Sequence, residues 1–261
     1  MLPFEITTAL GIAREAAHLA LELHGRAAVE VKPDNTLVTE ADRALEEMLH
    51  ERLGELAPDW SFLGEETGLT GQSDKPCWVI DPIDGTTNFV RGLPLWCVSI
   101  GAVQNGVPIF GAIAVPPQGE LYWAAPGQGA WREWGGKVTQ LQATDRPVIT
   151  QEDLVATNST VNGVNLRSVP CRNRNLGSLT YHLLAVGRGS VLASLSQWHK
   201  LHDVAGGLCL CAEVGCEARY LDGSLWQANV TTKAETNALL VAPPKAMQQL
   251  LEAFNKKGEG S

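Results

Sequence analysis

The chain has 261 residues, of which 44% are hydrophobic and 19% are charged, an ordinary composition for a globular protein with a substantial core. Its formal net charge of −9 argues against nucleic acid or an anionic membrane as a partner, since both repel a negative surface. No stretch approaches the ~20 apolar residues of a membrane span, and the N-terminal segment lacks a signal-peptide pattern. We therefore expect a soluble, cytoplasmic protein.

The N-terminal part begins with two predicted helices. An amphipathic pattern over residues 6–27 predicts a surface helix that ends at Gly25. Thr39 followed by Asp42 is typical of a capping box and predicts a second helix through about Leu56. Strands are then predicted, in chain order, at residues 60–63, 77–80, 98–103, 107–115, 121–125 and 130–134.

The character of the sequence changes along the chain. Asn105-Gly106 predicts a hairpin turn in an antiparallel middle region, whereas strands and helices alternate after Pro147. The later elements are predicted as a strand at 154–157, a helix at 179–186, a strand at 191–195, a helix at 204–214, a strand at 238–241 and a final helix. We expect an α+β half, residues 1–146, closely fused to an α/β half, residues 147–261, with a polar C-terminal tail (256–261) that frays.

Acidic residues follow apolar segments at three distant places. The segments are Gly64-Glu65-Glu66, Asp81-Pro82-Ile83-Asp84-Gly85 and His202-Asp203. Pro82 and Gly85 stiffen and turn the middle segment, which holds Asp81 and Asp84 close together. The carbonyl of Ile83, outside a regular ladder, can then serve as a neutral ligand. Packed carboxylates repel one another unless a cation neutralises them, and magnesium prefers oxygen ligands. The pattern predicts one divalent-metal site assembled from remote segments.

The segment 81–89, Asp-Pro-Ile-Asp-Gly-Thr-Thr-Asn-Phe, resembles the signature of the inositol monophosphatase family of lithium-sensitive, magnesium-dependent phosphatases. Residues 38–42, 64–66 and 203–206 resemble other segments of that family, so the likeness covers nearly the whole chain. The resemblance implies an α/β fold, a layered αβαβα sandwich of the inositol monophosphatase and fructose-bisphosphatase type. It also implies a homodimer.

The resemblance assigns roles to individual residues. Two or three Mg²⁺ ions would be bound by Glu65, Asp81, the Ile83 carbonyl, Asp84 and Asp203. Glu65 and Thr86 would position the attacking water, and Asp42 would hold the Thr86 hydroxyl. The backbone amides of Gly85 and Thr86 would cradle the phosphate.

Two positions depart from the family pattern on the alcohol side of the expected site. Most relatives carry Trp immediately before Asp203, where this chain has His202. Seven residues before Asp203, enzymes acting on inositol phosphates usually carry a Glu that contacts sugar hydroxyls, whereas this chain has Ser196. We expect Ser196 and Asp203 to contact the substrate, and the departures weaken inositol as the natural alcohol.

The expected activity is magnesium-dependent hydrolysis of a small phosphomonoester, such as inositol monophosphate or a similar sugar or polyol phosphate. Metal ions would activate water and neutralise the phosphate in one in-line step, without a covalent intermediate. Histidinol-phosphate phosphatase is an alternative within the same chemistry. A non-catalytic subunit that binds metal and phosphate is an alternative from another class.

Simpler interpretations of the acidic residues stay open. Asp81 and Asp84 could form a solvated turn, and Glu65 and Glu66 could be surface charges. Asp42 could serve only the helix cap. We prefer the metal site for Glu65, Asp81 and Asp84 and the catalytic role for Asp42, whereas Glu66 is expected at the surface or in support of the ligands.

Other polar residues are also open to two interpretations. His199 and His202 could bind a softer metal such as zinc, or could be neighbours of the ligand Asp203. The Cys-x-Cys pair at 209–211 is expected to be buried rather than zinc-binding. Lys32 and Asp34 could support the site or be solvated.

Overall fold

The structure is a computed structural model that describes residues 2–32, 36–146, 148–158, 161–162 and 164–255. Asp34, the expected boundary residue Pro147 and the tail expected to fray lie outside these residues. The helices are α1 (Ile6–Leu23), α2 (Glu40–Leu56), α3 (Thr86–Arg91), α4 (Leu179–Gly187), α5 (Leu201–Glu213) and α6 (Pro244–Asn255). The first strands are β1 (Val29–Val31), β2 (Leu37–Thr39), β3 (Ser61–Gly64), β4 (Gly68–Thr70), β5 (Cys77–Asp84), β6 (Cys97–Gln104), β7 (Val107–Val115) and β8 (Glu120–Ala124). The others are β9 (Ala130–Trp134), β10 (Lys137–Gln140), β11 (Leu154–Thr157), β12 (Arg172–Arg174), β13 (Ala193–Ser196), β14 (Glu217–Tyr220) and β15 (Leu239–Ala242).

The strands form two large sheets and one small ribbon. The first sheet has eight strands in the order β10-β9-β8-β7-β6-β5-β3-β4, antiparallel except where β3 pairs with β5. The second has five strands in the order β12-β11-β13-β15-β14. β1 and β2 form a separate antiparallel ribbon. The first sheet is thus built from strands that precede residue 141 and the second from strands that follow residue 153, while the expected division at residue 146 stays a prediction.

Helices cover both sheets and separate them. α1 and α2 pack on one face of the first sheet, where Leu49 and Trp78 belong to one core. α5 packs on the opposite face and contacts α4, which reaches β13 of the second sheet; Val79 and Val204 belong to this central core. α6 covers the outer face of the second sheet with Leu250. The expected αβαβα order is confirmed.

Close approach of α5 to the first sheet depends on glycines. A Cβ atom on Gly111 of β7 would lie 2.2 Å from the carbonyl oxygen of Gly206, and one on Gly101 of β6 would lie 2.8 Å from the Cβ of Ala205. Such contacts are too short for any side chain, so the strands and the helix meet backbone to backbone. This packing fixes the position of the α5 N-terminus, which carries Asp203.

Most predicted elements are confirmed, with differences at their ends. α1 ends at Leu23 rather than at Gly25, while the strand predicted at 77–80 continues to Asp84 and the helix predicted at 204–214 begins at Leu201. The capping box of Thr39 and Asp42 forms as predicted. β4 and β12 were missed because three residues are too few to show a periodic pattern.

The cysteines are not paired in disulfides, as expected for small buried side chains. Cys209 and Cys211 are buried, and their thiols face the carbonyls of Ala124 and Leu183, on different elements. The pair therefore does not converge on one metal position. Within the described ranges, no helix combines the length and apolar character of a membrane span.

Candidate active site

The central strand β5 changes its register where the acidic motif begins. Asp81 pairs with Ser99 and Asp84 pairs with Cys97, so one side of the ladder has an irregularity between the two aspartates. Pro82 lacks an amide hydrogen to donate there, which accounts for the interruption. All eight residues of β5 are buried, which rules out the solvated-turn interpretation for Asp81 and Asp84.

The chain then turns sharply into α3 at Gly85. Its φ of 94° lies in the left-handed region that favours glycine, and an added Cβ would lie 3.1 Å from the Leu95 carbonyl oxygen. The turn places Thr86 at the start of α3, where its hydroxyl donates to the carbonyl oxygen of Ile83 at 3.1 Å. The contact of this hydroxyl with Asp42 that the resemblance implied stays a prediction.

The loop after β3 carries Glu65 and Glu66 and is anchored by a buried carboxylate on α2. Glu46 is 1% exposed and accepts from the amides of Glu66 (2.9 Å) and Thr67 (2.7 Å). It also accepts from the Thr67 hydroxyl at 2.6 Å. Gly64 leaves room for this carboxylate, since a Cβ there would lie 2.1 Å from it. The loop is thereby held against α2, with Glu65 directed to the other side.

Lys32 pairs with both glutamates of this loop. Its ammonium lies 3.0 Å from a carboxylate oxygen of Glu65 and 2.6 Å from one of Glu66. Burial opposes the charge, yet the hydrogen bonds and charges of Glu66 and Glu65 raise the pKa of Lys32. Lys32 therefore pairs with glutamates of the site rather than facing solvent, and the surface-charge interpretation of Glu65 and Glu66 does not hold.

Asp203 lies at the start of α5 and is oriented by backbone contacts. One carboxylate oxygen accepts from the amide of Lys200 at 2.6 Å, and the other lies 3.4 Å from Nε2 of His202. The Thr180 hydroxyl donates to the Asp203 carbonyl at 2.9 Å, and the Thr180 amide donates to the carboxylate of Asp84. Thr180 on α4 thus ties α5 to the acidic end of β5.

The predicted ligands converge on one cavity of about 330 Å³. It is lined by Thr36, Leu37, Glu65, Asp81, Ile83, Asp84, Gly85, Thr86, Thr87, Gly177 and Asp203. Remote segments of the chain therefore meet as the sequence predicted. Ser196 is different, since it is 1% exposed in β13 and does not contribute to the lining.

Burial and mutual repulsion change the acidity of this cluster. Burial raises the pKa of Asp81 well above its ordinary value, and the charges of Glu65 and Asp84 raise it further. Burial also raises the pKa of Asp84 to about 7, assisted by the charge of Asp203, although the hydrogen bonds from Thr180 oppose this change. A divalent cation among these carboxylates would favour their charged forms and lower their pKa values.

Asp42 borders the same cluster from α2. One of its oxygens accepts from the amide and the hydroxyl of Thr39, at 2.7 and 2.6 Å, as the capping box requires. Its other oxygen is buried and has no hydrogen-bond partner among the described residues. Burial raises the pKa of Asp42 to about 6. Carboxylate oxygens of Asp42, Glu65 and Glu66 lie within 4.8 Å of one another, so Asp42 caps α2 and also lies close to the cluster.

The two histidines near Asp203 have different surroundings. His199 is 1% exposed, and its Nε2 lies 3.4 Å from the Glu235 carboxylate, away from the cavity lining. His202 faces the carboxylates of the cluster. A shared zinc site of His199 and His202 is therefore not formed by this part of the structure.

Sequence reasoning missed Glu46 and Thr180, which position the loop of Glu65 and the carboxylate of Asp84. Glu46 follows Asp42 by one helical turn, and this spacing was the available signal. Thr180 carries no comparable signal, because its contacts join elements far apart in the sequence.

Comparison with known proteins agrees with this arrangement. A model of the inositol monophosphatase family matches residues 4–259. An inositol monophosphatase of Mesembryanthemum crystallinum is 31% identical over 251 residues, covering 90% of this chain and 92% of that protein. A histidinol-phosphatase of Mycobacterium tuberculosis is 43% identical over 108 residues, which span 41% of this chain and 42% of that protein. The solved structure of Thermotoga maritima IMPase matches with a TM-score of 0.82 and 26% identity, covering 96% of each chain. This chain belongs to the inositol monophosphatase family.

Proposed function

We propose that this chain is a phosphoric monoester hydrolase that uses magnesium to cleave a small phosphorylated metabolite. One observation carries the proposal. Glu65, Asp81, Asp84 and Asp203 come from three distant parts of the chain, yet they line the same cavity. Family membership supports hydrolysis of a phosphate ester as the use of this cavity.

The donor set suits hard divalent cations. Asp81 is 2% exposed, and its Oδ1 has no hydrogen-bond partner within the described part of the chain. A buried carboxylate oxygen without a donor is costly unless a cation compensates it. Glu65, Asp81, Asp84, Asp203 and the Ile83 carbonyl would hold two or three Mg²⁺ ions. When bound, the ions would lower the pKa of water and neutralise phosphate oxygens.

The remaining roles fall to groups at the start of α3 and on α2. The amides of Gly85 and Thr86 border the cavity and would receive the phosphate. Glu65 and the Thr86 hydroxyl would orient the attacking water, and Glu65 would accept its proton. Asp42, whose second carboxylate oxygen has no partner among the described residues, would hold the Thr86 hydroxyl. Because water attacks directly, no covalent intermediate on the protein is needed.

Inositol monophosphate or a similar polyol phosphate is the leading substrate, and the Mesembryanthemum crystallinum relative supports it. Histidinol phosphate is the second candidate. The matching segment of the Mycobacterium tuberculosis histidinol-phosphatase and the His at position 202 favour it. Ser196 was expected on the substrate side, but its burial in β13 gives that role no support.

The test is a panel of phosphomonoesters, assayed for phosphate release with Mg²⁺ and with a chelator. The panel includes inositol monophosphate, histidinol phosphate and sugar phosphates. Metal-dependent release from at least one member supports the proposal, and the ratio of kcat/KM values selects the substrate. No release from any member, together with Mg²⁺ binding by calorimetry, would favour the non-catalytic subunit.

Further properties belong to the same proposal. A cytoplasmic location stays the prediction made from the sequence. Inhibition by lithium at millimolar concentration follows from the resemblance. So does a homodimer, which sedimentation would detect. Trp134 is 55% exposed and Val138 is 54% exposed near the β10 edge of the first sheet, and both suit a protein contact there. The net charge of −9 supports the absence of nucleic-acid and membrane partners.

A further inference from the structure

His202 lies next to the carboxylates that the proposed function uses. Glu65, Asp81 and His202 each present one atom suited to a metal ion, and these three atoms all lie within 4.8 Å of one another. The residues come from the loop after β3, from β5 and from the start of α5. Their side chains therefore meet through the tertiary fold and not through sequence spacing.

The spacing of these three atoms is compatible with a shared ion. Nitrogen and oxygen ligands lie about 2.0–2.2 Å from a divalent transition metal, so two ligands of one ion are at most about 4 Å apart. Atoms that lie within 4.8 Å of one another are close enough to converge on one ion by side-chain rotation.

Burial gives a second and independent indication of a ligand. Asp81 is 2% exposed and lines the cavity, with its Oδ1 lacking a hydrogen-bond partner among the residues described. His202 is 4% exposed, so its imidazole is also largely withdrawn from water. Its Nε2 lies 3.4 Å from Asp203, longer than a normal N–H···O hydrogen bond. The imidazole is thus not committed to that carboxylate.

We propose that His202 is a nitrogen ligand to a divalent ion that it shares with Glu65 and Asp81. The inference rests on the proposed function only in that both require these carboxylates to bind metal. An imidazole ligand suits zinc, manganese and other transition metals better than magnesium, which prefers oxygen. This one position would therefore favour Mn²⁺ or Zn²⁺, while ions held by Asp84, Asp203 and the Ile83 carbonyl would remain Mg²⁺.

The test measures the ligand atom directly. Mn²⁺ is bound to the wild-type protein, and electron spin-echo spectroscopy detects nitrogen coupled to the metal. The same measurement is made on His202→Phe, which keeps a ring in place, and on the matched control His199→Phe. Calorimetry gives the dissociation constants for Mn²⁺ and Mg²⁺. Wild-type protein labelled with ¹⁵N-histidine provides a readout that needs no variant.

We expect nitrogen coupling in the wild type and in His199→Phe, its loss in His202→Phe, and a ¹⁵N pattern in the labelled protein. The Mn²⁺ dissociation constant should rise at least about tenfold in His202→Phe, the smaller loss found when a supporting group of a metal site is removed. The Mg²⁺ constant should change less. Any of three results would overturn the proposal. They are the absence of nitrogen coupling in the wild type, an unchanged ¹⁴N pattern in the labelled protein, and nitrogen coupling that survives in folded His202→Phe.

Failure of this inference is separable from failure of the proposed function. Bound Mn²⁺ without nitrogen coupling, combined with Mg²⁺-dependent phosphate release, removes only the role of His202. Absence of metal-dependent hydrolysis across the substrate panel removes the function, whatever the spectra show.

Discussion

Asp84→Asn should stabilise the metal-free protein although it removes a proposed metal ligand. Burial raises the pKa of Asp84 to about 7 from an ordinary value of 3.8. A carboxyl group whose pKa is raised by folding costs stability as the pH rises from its unfolded pKa through its folded pKa. At about 1.36 kcal/mol per pH unit, the cost reaches about 4 kcal/mol above pH 7.

Asn has nearly the same shape as Asp and keeps an oxygen that can accept from the Thr180 amide, but it carries no charge. The figure of about 4 kcal/mol is an upper limit, because the new amide NH₂ group must find an acceptor. Urea titrations in the presence of a chelator measure the free energy of unfolding. We expect little difference between Asp84→Asn and wild type near pH 4, and a more stable variant at pH 8.

Magnesium should reverse the order. Saturating Mg²⁺ stabilises the wild type by binding only the folded state, whereas the variant binds it more weakly. The reasoning is refuted if the chelated variant is no more stable than wild type at pH 8. It is equally refuted if Mg²⁺ stabilises both proteins to the same extent.

Substitutions at three further positions, Gly64, Lys32 and Thr86, test the surroundings of the cluster. Gly64→Ala should lower the free energy of unfolding by about 1–3 kcal/mol, because the new methyl group displaces the carboxylate of Glu46. The control Gly54→Ala, which has open space around it in α2, should raise the free energy of unfolding by about 0.5–1 kcal/mol. Equal effects of the two substitutions in urea titrations would contradict the close packing of Glu46 against Gly64. Lys32→Gln should lower the Mg²⁺ concentration that gives the half-maximal rate about threefold, because it removes an ammonium group that competes with Mg²⁺ for Glu65 and Glu66. A higher Mg²⁺ concentration for the half-maximal rate would show instead that the ammonium group assists metal binding. Thr86→Val should lower kcat at least about 100-fold while Thr86→Ser retains most of it, and equal rates would exclude the hydroxyl from water positioning.

The fold was largely predictable because its signals are local. Periodic apolar segments and the Thr39–Asp42 cap gave the longer elements, and the motif from Asp81 to Thr86 indicated the family. Convergence of the acidic segments followed from elementary electrostatics, since buried carboxylates without a cation would destabilise the fold. The structure confirms that these segments meet.

Contacts between remote elements could not be predicted. Glu46 anchors the loop of Glu65 through backbone amides, and Lys32 pairs with that loop from the β1–β2 connection. Neither contact has a fixed sequence spacing. For Ser196 the sequence suggested a contact that the structure does not support. Its spacing from Asp203 predicted a substrate contact, whereas its side chain is buried in β13. Spacing along the chain did not reveal the direction of that side chain.

Magnesium-dependent phosphate release by Asp81→Asn and Asp203→Asn tests the central claim most directly. The matched control is Asp59→Asn, which removes an exposed carboxylate that does not line the cavity. We expect both cluster variants to lose at least about 100-fold in kcat/KM, the upper end of the loss caused by removing a supporting group of a metal site, with the control unchanged and all release abolished by a chelator. Rates near wild type in both cluster variants, or full activity in the chelator, would contradict a metal-binding acidic cluster as the catalytic centre.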